Sequence, residues 1–313
     1  MGARLFVPLT IMMALTSCTA AAAAQPRLQI AITLDDLPVH GPFPPGETPL
    51  SVGRGVIAAL TKNHVPAYGM VNAHWVAEQP ETLEPLKEWR AAGLLLASHT
   101  WSHRHLSEMT LDEFDQELAR DEPLLAQLSG GTDWHWFRYP FLDEGKNDDQ
   151  RAAARRILAR RGYKIAAVTM DFGDWEWTAP YARCTANDRR SIQRLEQMYL
   201  SAAREGIGAS RSMARALYGR DIPYVVLLHE SAFEARMLPQ LLQLYRSAGF
   251  RFVNLPDAEK DPTYADQVRP DLPAEAQGLG GKTSARGLPY PKVTDYSAEL
   301  NAICPAPSTA PHP

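Results

Sequence analysis

The apolar run Leu94-Leu95-Leu96-Ala97 breaks into Ser98-His99-Thr100-Trp101-Ser102-His103, and this change of character decides the fold. A buried strand that stops at reactive side chains is the habit of parallel sheets wrapped by helices, where loops at the carboxyl ends of strands hold the chemistry. If a helix starts where the strand stops, residues four apart share one face, and His99 and His103 can point at a single ion. The same spacing occurs on ordinary solvated helices, so the pair takes its meaning from its surroundings.

Those surroundings repeat the pattern. Strand-like runs are read over 28–34, 67–71, 94–97, 134–139, 165–170, 224–228 and 252–255. Between them, helical spacing of apolar residues covers 52–63, 81–92, 111–128, 150–161, 192–203 and 236–248. Strands alternating with helices, the strands nearly continuous in apolar residues, predict an α/β fold with a parallel sheet, either a barrel or a doubly wound sheet. Polar residues collect where such a fold would want them: Asp35 and Asp36 end the first run, His99 follows the third, and Arg138 closes the fourth. Asp171 and Asp174 follow the fifth, and His229 ends the sixth.

The first 24 residues are of another kind. Arg4, an apolar stretch from Leu5 to Leu15 and a small-residue segment make an export signal. Two cleavage readings compete: before Gln25, giving a free exported protein, or at the lipobox-like Leu15-Thr16-Ser17-Cys18, giving membrane attachment through a lipidated Cys18. The expected location is the bacterial periplasm or envelope. A catalytic domain is expected over 25–262, with an excursion over 178–222, and a Pro- and Gly-containing tail over 263–313 either wraps the domain or moves freely. In an oxidising compartment Cys184 and Cys304 are permitted a disulfide, with two free thiols as the alternative. Without the leader, 31 basic residues stand against 36 acidic ones and no basic run occurs, which argues against nucleic acid as a partner and favours a neutral substrate. Nothing in the sequence sets an oligomeric state.

Two imidazoles and a carboxylate leave positions open on a divalent ion, the arrangement of a catalytic rather than a closed structural site. Such an ion acidifies water and polarises a carbonyl, so hydrolysis follows, with one carboxylate as base and His229 as the acid for the leaving group. Blander readings exist for each residue alone. Asp-Asp suits a turn or helix cap, a histidine ending a strand is commonly a satisfied core residue, and Arg138 with Asp174 suits a structural ion pair.

Taken together, Thr33-Leu34-Asp35-Asp36, His99-Thr100-Trp101-Ser102-His103, Arg138-Tyr139-Pro140-Phe141, Asp171-Phe172-Gly173-Asp174-Trp175 and Val226-Leu227-Leu228-His229 resemble the five ordered motifs of polysaccharide deacetylases, carbohydrate esterase family four. The resemblance spans residues 27 to 260 and implies a distorted (β/α) barrel acting on an acetylated glycan. It implies that Asp36, His99 and His103 hold a divalent metal, usually zinc, that Asp35 is the base positioned by Arg138, and that His229 is the acid tuned by Asp174. It assigns Phe141, Trp175 and Tyr139 to the substrate, with the backbone N–H of Phe141 facing the oxyanion. Leu37 stands where the family usually has Gly, Phe141 replaces a common Tyr, and the stretch between Trp175 and His229 is long.

Trp75, Trp101, Trp134, Trp136 and Trp177 are candidates for stacking on sugars, although large aromatics more often serve the core. His40 lies close enough in sequence to Asp36 to reach the site, and Glu230 reads as a surface or supporting residue. The reading is an exported metal-dependent hydrolase of N-acetyl, less readily O-acetyl, groups. A non-haem iron oxygenase would share the two-histidine, one-carboxylate set but has no task for the second aspartate and the distant histidine. A glycan-binding envelope lipoprotein on the same fold would have no use for an intact base and acid.

Overall fold

The run Ile30-Ala31-Ile32-Thr33-Leu34 is almost wholly apolar, and a strand buried on both faces belongs inside a parallel sheet. The computed structural model, which describes Gly2 and residues 28–184, 188–274 and 278–305, places it there. Apart from Gly2, the export signal read over residues 1–24, Cys18 included, lies outside the described residues. Among those residues no helix is long and apolar enough to cross a membrane.

Seven parallel strands form one sheet: β1 Leu28–Leu37, β2 Ala67–Val71, β3 Leu95–Ser98, β4 Trp136–Phe137, β5 Lys164–Ile165, β6 Tyr224–His229 and β7 Phe250–Phe252. The path runs β5-β4-β3-β2-β1-β6, with β7 paired to β1 off it. Beyond β5 the chain comes round to β6, where Met170 bridges Val226 and the Leu227 N–H donates to the Met170 carbonyl at 3.0 Å. That contact closes the sheet on itself, so the architecture is the distorted (β/α) barrel.

Helices α1 Pro49–Lys62, α2 His74–Glu78, α3 Leu83–Ala91, α4 Leu111–Leu128 and α5 Asp148–Arg160 surround the first half. Then follow α6 Thr178–Arg183, α7 Arg189–Tyr218, α8 Ala232–Ser247, α9 Leu255–Ala258, α10 Ala265–Val268, α11 Gly278–Ala285 and α12 Ser297–Ala302. Starts follow local chemistry: Thr48 with Ser51 and Thr110 with Glu113 form reciprocal caps on α1 and α4.

Three of the departures from the sequence expectation have an evident local cause. The fifth strand stops at Ile165 because side chains claim the peptide groups beyond it: Glu259 accepts the Ala167 N–H at 2.7 Å, and Arg138 donates to the Ala166 and Ala167 carbonyls. The seventh strand lies earlier, at 250–252, since Pro256 in the first turn of α9 suits a helix start and offers no N–H to a sheet. Helix α7 runs 30 residues rather than the dozen expected. Gly206 in its middle is kept by contact, because a Cβ there would stand 3.0 Å from that of Phe172.

The loop after β3 is clamped from α4. Asp121 accepts the Ser98 hydroxyl at 2.6 Å and the Ala73 N–H at 3.0 Å, while Glu117, one turn earlier, accepts the Ser102 N–H at 2.7 Å and its hydroxyl. Asn72, just past β2, donates to the His99 carbonyl at 2.6 Å. The tail is tied down as well: α11 packs on α7, buried Lys282 pairs with Asp266 at 2.8 Å, and Arg183 donates to the Cys304 carbonyl. Cys184 and Cys304 form a disulfide, resolving the alternative left by the sequence.

Two stability effects follow. Replacing both Cys184 and Cys304 by Ser frees a loop closed over a separation of 120 residues and is expected to cost about 2–4 kcal/mol in denaturant unfolding. Asp121→Ala strands a buried hydroxyl and a buried N–H and is expected to cost about 1–3 kcal/mol for each group left unpaired, with Asp121→Asn milder. An unfolding midpoint unmoved by Asp121→Ala would mean that the clamp does not hold the loop.

Candidate active site

Adjacent residues in a regular strand point to opposite sides, so Asp35 and Asp36 need a break in β1 to share a pocket. They do not sit beyond the strand, as the sequence suggests, but inside it. The β1–β2 register shifts between Leu34 and Leu37, and Asp36 takes a left-handed φ of 65°. This bulge turns both carboxylates inward. Leu37, in place of the expected Gly, is fully buried because β2 offers Gly69 opposite, where a Cβ would lie only 2.3 Å from Leu37 Cδ2.

His99 and His103 converge without a helix. Residues 99–105 form an irregular loop, with Thr100 at φ 66° and His103 at φ 53°. The Thr100 hydroxyl accepts the His103 N–H at 3.2 Å, so left-handed turns, rather than one helical face, bring the rings within 4.9 Å of each other. His99 Nδ1 lies 2.9 Å from the Arg138 carbonyl, which makes Nδ1 the donor and leaves Nε2 with a lone pair toward the pocket.

The donor atoms fit a divalent cation. Asp36 Oδ1 stands 3.4 Å from His99 Nε2 and 3.1 Å from His103 Nε2, and it is a buried oxygen with no hydrogen-bond partner. Two nitrogens and one oxygen gathered at an orphaned anionic atom form a half-built coordination shell, open on its far side. Burial works to raise the Asp36 carboxyl, but the neighbouring His103, His40 and His99 imidazoles prevail and hold it well below the usual range. His40 does reach the site: its Nδ1 lies 2.6 Å from Asp36 Oδ2, which directs the other oxygen at the two histidines, and its ring lies 4.7 Å from that of His229.

Strand pairing sets the second pair of groups. Asp35 on β1 is in register with His229 on β6, so a carboxylate and an imidazole face one cavity from neighbouring strands. Arg138, buried at the end of β4, donates to Asp35 Oδ1 at 2.7 Å and to the Thr33 hydroxyl at 2.7 Å. Asp174 grips His229 twice, taking its backbone N–H on Oδ2 at 2.7 Å and its Nδ1 on Oδ1 at 2.9 Å. Burial alone would lower the imidazole pKa, yet Asp174, with Asp36 and Asp35 behind it, pushes it up to about 10. At neutral pH His229 is therefore an imidazolium.

The cavity holding these groups measures about 280 Å³ and is lined by Asp35, Asp36, His40, His99, His103, Phe141, Leu142, Asp171, Trp175, Leu227 and His229. Phe141 and Trp175 stand at its rim, 56% and 53% exposed. Phe141 is stacked flat on His105 at 3.7 Å. Tyr139 does not face the cavity: its ring is fully buried against Phe114 and Phe137, because the strand geometry that turns Arg138 inward turns its neighbour outward into a second core. Trp136 and Trp177 are core residues, while Trp75, Trp101 and Trp134 lie elsewhere, Trp101 under the Arg120 guanidinium. Glu230 is buried rather than on the surface, and burial pushes its carboxyl up to about 8. The residues the sequence reading missed are Glu117 and Asp121. Their signal was present, as two acids one turn apart on the stripe that buries Phe114, Leu118 and Leu125.

Residues 22–166 match the family model described as polysaccharide deacetylase. No curated protein matches the chain. Among solved structures, the chitin deacetylase of the fungal pathogen Colletotrichum lindemuthianum superposes with a TM-score of 0.51 at 21% identity, covering 75% of this chain and 88% of that one. The carbohydrate esterase domain of a multidomain xylanase from the hindgut metagenome of Trinervitermes trinervoides gives 0.52 at 18%, covering 82% and 99%. A carbohydrate esterase family four pseudoenzyme from Bacillus anthracis gives 0.54 at 14%, covering 74% and 66%. At these identities the likeness speaks for the fold. The chain thus resembles polysaccharide deacetylases over residues 22–166 and takes the distorted-barrel fold of these carbohydrate esterase family four structures.

Proposed function

We propose that this protein is an exported, metal-dependent hydrolase that removes N-acetyl groups, less readily O-acetyl groups, from an envelope or extracellular polysaccharide. The observation that carries the reading is the pairing, across one cavity, of a carboxylate fixed by Arg138 and an imidazole fixed by Asp174, beside an orphaned donor set. Export rests on the leader sequence, with its two cleavage readings.

Asp36, His99 and His103 would hold the cation, and mixed nitrogen and oxygen donors suit zinc. When bound, a divalent cation polarises the acetyl carbonyl and acidifies water. Asp35 Oδ1 is taken by Arg138, which leaves Oδ2 to accept a proton from the attacking water. Phe141 lines the cavity, and its backbone N–H would stabilise the negative charge that develops on the carbonyl oxygen. His229, with Nδ1 bound to Asp174, presents Nε2 to the departing nitrogen and supplies the proton that makes it a leaving amine. Trp175 at the rim would cover the acetyl methyl. An oxygenase would leave Asp35 and His229, each aligned by a dedicated partner, without a task.

Acetate release from N-acetylglucosamine oligomers should be lost on chelation and restored by zinc. Asp35→Asn and His229→Ala should each lower kcat about 10²–10⁴-fold. Full activity in both variants, or oxygen consumption in place of acetate release, would refute the mechanism. Asp174→Asn tests the acid by pH. The active form is protonated, so activity falls as pH rises through the His229 pKa, and removing the carboxylate that raises this pKa should move the alkaline limb of kcat/KM to lower pH. An unmoved limb would exclude His229 as the acid.

A further inference from the structure

The catalytic cavity is small. At about 280 Å³ it falls just under the range of roughly 300–1,000 Å³ common for pockets that enclose a whole ligand. A polysaccharide must then continue across the surface, and the surface beside the cavity is not neutral ground.

A second hollow of about 260 Å³ adjoins the first, and Leu142 and Asp171 line both. Its far wall is built by the tail, Gly278 to Gly281 with Tyr290 and Val293, against Ser210 and Met213 of α7. Four large apolar side chains are exposed among the described residues: Phe141, Trp175, Tyr290 and Val293. The first two line the catalytic cavity and the last two line the adjoining hollow. Exposed apolar groups scattered at random would have no reason to border one groove, and such clustering marks a binding surface.

The tail residues are also held in place. Glu205 of α7 accepts the Thr294 N–H at 2.6 Å, the Thr294 hydroxyl at 3.1 Å and the Tyr296 hydroxyl at 3.2 Å. Tyr290 lies over Gly280, where a Cβ would come within 3.2 Å of its hydroxyl. An exposed aromatic ring bordering a hollow that Thr169, Asp171 and Ser210 also line matches a pyranose, which has an apolar face and polar edges.

We infer that the tail segment 278–293 forms a second sugar subsite, with Tyr290 as its platform, that receives the glycan unit next to the one being deacetylated. This rests on the deacetylase reading of the catalytic cavity and adds that the substrate is an oligosaccharide lying from Trp175 toward Tyr290. The tail, beyond the matched family region, thereby sets a length preference.

The test separates binding from turnover. Using Asp35→Asn protein, titration calorimetry with N-acetylglucosamine oligomers of one to four units should show affinity rising with length. Tyr290→Ala in that background should remove about 5- to 10-fold of the gain for the longer oligomers, as expected for one lost aromatic contact. Tyr290→Phe should retain it, and binding of the monomer should be the same in all three proteins. Circular dichroism and the thermal midpoint confirm that the variants fold. Affinity that does not rise with length, or a gain that survives Tyr290→Ala, overturns the subsite. Self-association abolished by Tyr290→Ala would assign the hollow to a contact between copies and overturn it as well. Absence of acetate release by the unmodified protein would instead refute the function of the catalytic cavity, leaving the calorimetric result to stand by itself.

Discussion

The buried ion pair between Asp35 and Arg138 is the constraint around which the barrel is arranged. A guanidinium and a carboxylate, each at most 2% exposed and 2.7 Å apart, are costly to remove from water unless each guanidinium nitrogen finds an acceptor. Arg138 meets that condition with Thr33 on β1 and the carbonyls of Ala166 and Ala167. These bonds run from β4 to β1 and to the segment that closes the barrel, so satisfying one buried charge also sets the relative position of three parts of the sheet. The irregularity after β5 follows from the same demand, since carbonyls engaged by a side chain cannot also serve a regular ladder.

Charge in the cavity is arranged rather than merely present. Asp35, Asp36 and Asp174 bring three carboxylates against one guanidinium and the His229 imidazole. Both oxygens of Asp174 are engaged by one residue, while Asp36 leaves one buried oxygen without a partner. An excess of negative charge focused on a single unpartnered atom favours a cation there and keeps the nearby imidazole protonated. Asp35 is held by a permanently charged arginine and His229 by a carboxylate, so each titratable group faces a partner of opposite charge.

The strand and helix alternation was legible because buried parallel strands are apolar throughout, and the site residues were legible because they interrupt those runs at their ends. What misled the reading was local backbone shape. The histidine pair was placed on a helix from spacing alone, whereas left-handed turns at Thr100 and His103 do the work. Asp35 and Asp36 were placed past a strand end, whereas a bulge inside β1 turns them. Neither residue type announces a positive φ, so such turns are invisible without the packing that enforces them. Tyr139 was drawn into the site by its neighbour, although alternation along an extended segment argues that Arg138 and Tyr139 should part company. His40 could be flagged only as near in sequence; the short bond to Asp36 that gives it a role depends on the path of the loop between them.

The two halves of the chain carry unequal parts of the chemistry. The matched family region ends at residue 166, after Asp35, the cluster of Asp36, His99 and His103, and Arg138, yet His229 and its partner Asp174 come later. What lies between and beyond them is the long helix α7 and the tail that the Cys184–Cys304 disulfide fastens back to α6. A tail of small residues and prolines has too little apolar surface to hold its own shape, and here it borrows rigidity from Glu205, Asp266 and the disulfide. Such external fastening is worthwhile for a wall that must present side chains at fixed positions, because a mobile wall would lose to ordering much of what it gained in contact. The first half of the barrel thus holds the donor set and the Arg138–Asp35 pair, and the second half adds the His229–Asp174 pair and the wall that carries Tyr290 and Val293.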